Sequence, residues 1–343
     1  MPAETATLDR VLDERGQGLE TGAFVVAVAW DGSGRPAFGL GDGRVRVHGI
    51  AATDSPAHGG AVLALTAHPA GGWVSGGDDG KLLHVAADGS TRVLADHGMR
   101  WVEQISTFDD GKLGLIGYAV GKRAHLIDGA GGGLKVLEHP STVTGLAFDT
   151  KGKRLAASHY NGASLWFVAS KSDNPRKLEW KGSHTGIAIN PDGDSVVTAM
   201  QENALHGWRL SDGQHMRMSG YPAKTTSIGF TRTGKWLASS GAEAIVLWPF
   251  SGGGPMGKAP GELGGGDPEV LCTQIACHPT GDNVAAGFSD GTVILADIAT
   301  SRILPVCGPG RGSVSALAWR ADGVALAFGT ETGFAAVVDL GTR

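Results

Sequence analysis

Apolar and polar positions along the chain recur in blocks of roughly 40 residues. Each block opens with a short apolar run that ends in a turn closed by glycine: Gly34, Gly71, Gly111, Gly152, Gly193, Gly234, Gly281 and Gly323. Six residues before that glycine stands an aliphatic residue in all eight blocks: Val28, Leu65, Ile105, Leu146, Ile187, Ile228, Ile275 and Leu317. Five before it the residue is small: Ala29, Thr66, Ser106, Ala147, Ala188, Gly229, Ala276 and Ala318. Short apolar runs bounded by glycine turns predict strands rather than helices. A second and a third run follow. They are clearest in WVSGGDDGKLLHVA at 73–86 and VAAGFSDGTVILAD at 284–297. An Asp-Gly pair between two apolar runs is a strong hairpin signal. The same hairpin recurs at Asp42-Gly43 and Asn161-Gly162, and less strictly at 201–203, 241–243 and 332–333, with a deviant copy at Val120-Gly121.

Each block thus holds three inner strands, and the gap before the next block leaves room for an outer one. Outer candidates are Thr91–Ala95, Leu134–Glu138, Arg176–Trp180, Gln214–Met218 and Arg302–Val306, with Gly49–Thr53 a poor one. The repeats lie near 25–53, 62–95, 102–138, 143–180, 184–218, 225–263, 272–306 and 314–339. Repeats of this length made of short strands are the mark of a β-propeller. The prediction is an all-β chain, 1–343 as one domain, with four-stranded antiparallel blades. Eight blades are expected, and seven if the first or last repeat is incomplete. The eighth repeat has no room for a fourth strand, so 8–14 is expected to supply a closing strand; a short amphipathic helix over Leu8–Arg15 is the alternative. The Gly- and Pro-rich stretch 251–268 reads as a tolerated loop insertion.

Composition sharpens the fold more than the function. Glycine supplies 56 of 343 residues, well above the usual ~7%, as many tight turns require. The net charge of −5 gives no reason to expect nucleic acid as partner. Cys272, Cys277 and Cys307 are an odd number and no disulfide framework, which suits a reducing compartment. No stretch is long and apolar enough for a membrane-spanning helix and the first residues lack an apolar signal core. A cytoplasmic protein without membrane insertion is expected.

The blocks WVSGGDDGKLLHVA, VAAGFSDGTVILAD and LAFGTETGFAAVVD resemble the WD-repeat family of β-propellers, across essentially the whole chain and in a divergent, bacterial-type form. That resemblance implies a tetrad of Trp, Ser or Thr, His and Asp tying each blade together. Here it is eroded. Trp166, Trp208 and Trp248 match the tryptophan, and Ser75, Ser158, Thr198 and Ser239 the hydroxyl. Asp79 and Asp290 match the aspartate, with Asn161 as a substitute; His58, His139 and approximately His97 match the histidine. Repeat four comes nearest to completeness, and apolar contact is expected to outweigh buried polar networks.

Chemistry-bearing patterns are weak. The twelve histidines show no zinc spacing, and His68, Asn190 and His278 each precede a proline in equivalent turns. In the Cys272, Cys277, His278 group the two cysteines fall in strand slots that suit buried apolar residues. Glycine runs at 39–43, 129–133 and 308–313 are followed by strands, where a phosphate loop needs a helix. No catalytic residue, metal site or cofactor is predicted. The three tyrosines, Tyr118, Tyr160 and Tyr221, fall in loops on one face of the family's geometry, with Met200 and Phe288 at comparable hairpin positions and Arg100 and Trp101 at the same rim. Such residues are enriched in interface hot spots. The prediction is a non-enzymatic scaffold that binds a protein or peptide on that face. A central-channel enzyme or small-molecule sensor, or a structural subunit of a larger assembly, are the alternatives.

Overall fold

The computed structural model describes residues 8–50 and 56–341. The chain divides into two compact units, one formed by residues 29–219 and one by residues 1–28 with 220–343. They are called the middle and the terminal unit below.

In the middle unit, Val62–Ala67, Trp73–Gly77, Lys81–Val85 and Thr91–Asp96 form one antiparallel four-stranded sheet in chain order. Gln104–Asp109, Gly114–Val120, Arg123–Asp128 and Gly133–Glu138 form the next. Burial follows strand position. Trp73–Gly77 is buried throughout, whereas Thr91–Asp96 is mostly exposed. The second strand therefore carries apolar residues on both faces, and the outer strand holds polar ones such as Thr91, Arg92 and Asp96. Core clusters join sheets face to face: Val74 and Leu82 of one pack with Ile116, Tyr118 and Ile127 of the next.

In the terminal unit, Ile228–Phe230, Trp236–Ser239, Ile245–Pro249 and Gly261–Leu263 form one sheet, and Cys272–Cys277, Asn283–Phe288, Val293–Asp297 and Ile303–Cys307 another. A third runs in the order Gly16–Glu20, Phe334–Asp339, Ala325–Thr330, Val314–Trp319.

The described residues form seven sheets, where eight blades are expected. One merger accounts for the difference in count, and the first repeat departs in strand number alone. Repeats four and five share a single six-stranded sheet, because Arg154–Phe167 and Arg176–Ile189 run for 14 residues each through positions where turns are expected. Bulges at Tyr160/Gly162 and His184/Gly186 take up the register without breaking the strands. The first repeat gives a three-stranded sheet of Val25–Trp30, Pro36–Leu40 and Val45–Val47. Its outer candidate Gly49–Thr53 lies outside the described residues from 51 onward.

The closing strand expected at 8–14 is also corrected. Arg10–Arg15 is a helix, and the adjacent Val11 and Leu12 are both buried against Val306, Cys307 and Val338. Neighbouring residues point to opposite faces of a strand but share one side of a helix. Asp9 anchors the helix start, accepting from Gly308 N–H at 2.7 Å and pairing with Arg311 at 3.0 Å. Gly16–Glu20, just after the helix, pairs antiparallel with Phe334–Val338.

Seven of the eight turn-closing glycines have φ between 62° and 96°, Gly281 being the exception. The left-handed region favours glycine, which explains why this position recurs so strictly. Among the described residues no helix is long and apolar enough to cross a membrane.

Candidate functional site

Repeat two shows what the tetrad slots can build. His58 comes from the loop before Val62–Ala67, Ser75 from the second strand and Asp79 from the hairpin. The His58 ring bonds Asp79 through Nδ1 at 2.9 Å and Ser75 Oγ through Nε2 at 2.8 Å. The Asp79 carboxylate also accepts the Gly59 N–H at 3.0 Å and the Lys81 N–H at 3.2 Å. Val85 fills the tryptophan position and is buried.

Repeat four carries the most complete set of tetrad residues and assembles it differently. Trp166 donates its indole N–H to His139 Nε2 at 3.0 Å. Ser158 does not reach this pair; its hydroxyl lies 3.2 Å from Thr144 Oγ1. Asn161, at φ 66°, accepts the Gly182 N–H at 3.2 Å. His139 Nδ1 is thereby left buried without a hydrogen-bond partner. Burial pushes the His139 imidazole pKa down to about 4, helped by the neighbouring His159, so the ring is neutral near pH 7. An indole N–H is a donor only. His139 Nε2 is then the acceptor, and the proton sits on Nδ1.

His139 borders a groove of about 1130 Å³, whose walls include Tyr160, Trp180, Pro140 and Pro175. Its rim carries Lys122, Lys177 and Lys181 against Glu138, Asp173 and Glu179. Trp180 stacks on His206 at 4.0 Å between centroids, which fixes the indole plane.

The seven residues expected to form a partner surface separate into two groups. Tyr160 is 59% and Trp101 58% exposed, and Arg100 is exposed beside Trp101. Tyr118, Met200, Tyr221 and Phe288 are buried. Tyr118 stacks on His125 at 4.8 Å and bonds His97 Nε2 through its hydroxyl at 3.1 Å. Phe288 sits in the core with Ile275 and Ile294. Tyr221 takes the histidine slot of repeat six, its hydroxyl 2.6 Å from Ser239 Oγ and accepting from Trp248 Nε1 at 2.6 Å. Burial raises the hydroxyl pKa of Tyr118 and of Tyr221 to about 12. These four side chains serve packing in this structure because neighbouring side chains bury them, which a hairpin position cannot reveal.

The network around His184 escaped the sequence reading. His184 Nδ1 lies 2.6 Å from Thr198 Oγ1, and its Nε2 lies 3.0 Å from the Trp180 carbonyl. Trp180 stands thirteen residues before Gly193, as His58, His139 and Tyr221 stand before Gly71, Gly152 and Gly234. That spacing is the signal that places a tryptophan in the histidine slot. The turn residues behave as expected: His68 Nδ1 accepts the Ala70 N–H at 2.9 Å and His278 Nδ1 the Gly281 N–H at 2.9 Å. The three thiols are raised to about 12 by burial. Among the described residues no three His, Cys, Asp or Glu groups gather as metal ligands.

The model of the WD domain, G-beta repeat, matches residues 52–84 and 262–297, which fall in repeat two and across repeats six and seven. Two stretches of the chain thus carry WD repeats, and together with the repeated four-stranded sheets they support a WD-repeat β-propeller. It is 26% identical over 200 residues to telomerase protein component 1 of Mus musculus, covering 57% of this chain and 7% of that protein. It is 23% identical over 119 residues to small ribosomal subunit protein RACK1y of Oryza sativa subsp. japonica, covering 34% of this chain and 35% of that one. These matches thus span well under two thirds of the relatives' lengths. A solved structure of the computationally designed Ika8 protein superposes with a TM-score of 0.69 at 19% identity, over 93% of this chain and 97% of that one.

Proposed function

We propose that the protein is a non-enzymatic interaction scaffold that captures a protein or peptide partner on the side of its middle unit bearing Trp101, Arg100 and Tyr160, and so helps assemble a complex. One observation carries this reading. Trp101 and Tyr160 are large aromatic residues more than half exposed, Trp101 on a loop and Tyr160 at a strand bulge, at corresponding ends of their sheets. Trp101 leads into the first strand Gln104–Asp109, and Tyr160 stands where the second-strand segment of repeat four ends. Antiparallel pairing puts the start of a first strand beside the end of a second, as Gln104 beside Ala119 and Gly145 beside Ser158 show. An exposed Trp, Tyr and Arg set is the composition of interface anchors. The two relatives support the same class, since their names place them in a telomerase and in a small ribosomal subunit. A cytoplasmic location fits the three free thiols.

The test is affinity capture from native lysate with the wild type and a Trp101→Ser/Tyr160→Ser variant, their melting curves recorded alongside. Both side chains are exposed, so the variant should fold normally. A protein held by the wild type alone supports the assignment. Equal capture by both moves the site elsewhere.

A further inference from the structure

We propose that the outer edge of repeat four binds single-stranded nucleic acid, with phosphates held by exposed lysines and bases stacked on Tyr160 and Phe167. This activity goes beyond the capture of a protein partner and does not depend on it.

Charge is spread unevenly along the chain. Residues 122–181 hold ten Lys and Arg against five Asp and Glu, while the remaining residues hold 19 against 29. The overall charge of −5 thus hides a basic segment around repeat four. Most acids within it are already engaged. Glu138, Asp149 and Asp173 pair with Arg123, Arg154 and Lys135, and Asp128 accepts the Ala130 and Gly132 N–H groups. Lys151, Lys153, Lys171, Arg176, Lys177 and Lys181 are all exposed, and among the described residues none of the six has an ion-pair partner. Three acids border them. Glu179 stands between Lys177 and Lys181, Glu202 accepts the Ser183 N–H, and Asp192 follows the Pro191 carbonyl that Thr150 binds. The balance of this edge stays positive.

The pairing of Arg154–Phe167 with Arg176–Ile189 sets these cations in order. Arg176 lies opposite Leu165, Lys177 opposite Ser164 and Ser183 opposite Tyr160, so Lys181 stands at the Tyr160 end. At the other end the Val168 N–H bonds the Lys153 carbonyl, which brings Lys151 and Lys153 beside Phe167. Lys171 lies in the connection from Phe167 to Arg176. Tyr160 and Phe167 are both more than half exposed, and seven strand positions set them about 20 Å apart. A single strand offers what this row can meet, phosphates along its length and open base faces for the rings. Phosphates are contacted by Lys and Arg, whereas Lys is depleted where proteins meet, so an acidic protein is the poorer match. A duplex keeps its base faces stacked inside and would leave both rings unused.

The experiment uses the full chain and a fluorescein-labelled oligouridine of about twelve nucleotides, followed by anisotropy from about 50 to 200 mM salt. Saturable binding is expected, with a Kd below about 100 μM at the lowest salt and weakening as salt rises. The variants alter exposed side chains only, and their melting curves are recorded alongside. Lys153→Gln/Lys177→Gln/Lys181→Gln should flatten the slope of log K against log salt by about 2. Tyr160→Ser/Phe167→Ser should weaken binding about tenfold or more and leave that slope unchanged. A duplex of the same length should compete at least about fivefold less well than the unlabelled single strand. No binding at about 50 mM salt, or binding that neither variant changes, overturns the proposal. Oligoglutamate that competes as well as oligouridine also overturns it and marks the edge as a surface for an acidic protein.

Discussion

Repeats two and four place histidine, hydroxyl and a polar hairpin residue in the same slots and reach opposite outcomes. In repeat two every polar atom of the trio is met, from Ser75 through His58 to Asp79. In repeat four the trio has come apart, with Ser158 drawn to Thr144 and Asn161 to Gly182. Two local differences explain this. The hairpin from Ser75 to Gly80 is one residue longer than that from Ser158 to Gly162, so the acidic group of repeat two reaches back over the histidine. Thr144 in turn offers Ser158 a nearer partner and donates its own hydroxyl to the His184 carbonyl. Matching residue types at matching positions therefore does not make a network; loop length and competing neighbours decide.

The largest expected effect breaks the intact side of this comparison. Asp79→Ala removes the acceptor of the His58 ring and of two backbone N–H groups. A loss of about 2–3 kcal/mol is expected. Asn161→Gly removes one exposed bond and relieves a left-handed φ, so its effect should stay within about 0.5 kcal/mol. Urea denaturation of both variants measures the difference. Equal losses would mean that the two repeats rest on the same contacts after all.

Acid sharpens the comparison from the other side. Folded His139 titrates near 4 because it is buried, whereas a histidine in the unfolded chain titrates near 6.5. Between those values the unfolded chain binds more protons, so stability falls as pH drops from about 6.5 to 4 and is flat above. At pH 5 the share lost through His139 is on the order of 2 kcal/mol. Burial likewise lowers His68 and His125 to about 4 and His206 to about 3. Eleven of the twelve histidines lie in the middle unit, so amide exchange there should rise first on acidification. Exchange that rises first in the terminal unit instead would contradict this assignment.

The repeat spine was legible because it is local. A turn closing in the left-handed region demands glycine, and a pleated strand demands an apolar residue at a fixed distance from it, so Gly152 and Leu146 could be placed without knowing their neighbours. The sheet count was not legible, because Arg176–Ile189 runs on from the outer strand of repeat four into the first strand of repeat five through residues that look like any loop in sequence, with a bulge at His184/Gly186. Partner residues were half legible. Trp101 and Tyr160 are exposed, Trp101 in a loop and Tyr160 at a strand bulge, but Tyr118 and Phe288 are covered by side chains of the preceding repeat, Val74 and Leu82 for Tyr118 and the Ile245 and Leu247 cluster for Phe288. Burial of this kind is a property of pairs of repeats, and a single repeat carries no trace of it.

Repeat six offers a third solution in the same slot, with a smaller expected loss than that of Asp79→Ala. Tyr221 replaces the histidine, and its hydroxyl both meets Ser239 and accepts from Trp248. One oxygen thus does the work that His139 does for Trp166, and leaves no second ring nitrogen to satisfy. Tyr221→Phe keeps the ring and its packing while removing that oxygen, so about 1–2 kcal/mol should be lost from two buried groups left unmet. The loss should be the same at pH 5 and at pH 7, since a phenol raised to about 12 is protonated at both. Thermal denaturation at the two pH values is the measurement. A Tyr221→Phe cost that changed between them would mean that the slot is coupled to titrating groups elsewhere, and the contrast with His139 would then be one of degree rather than of kind.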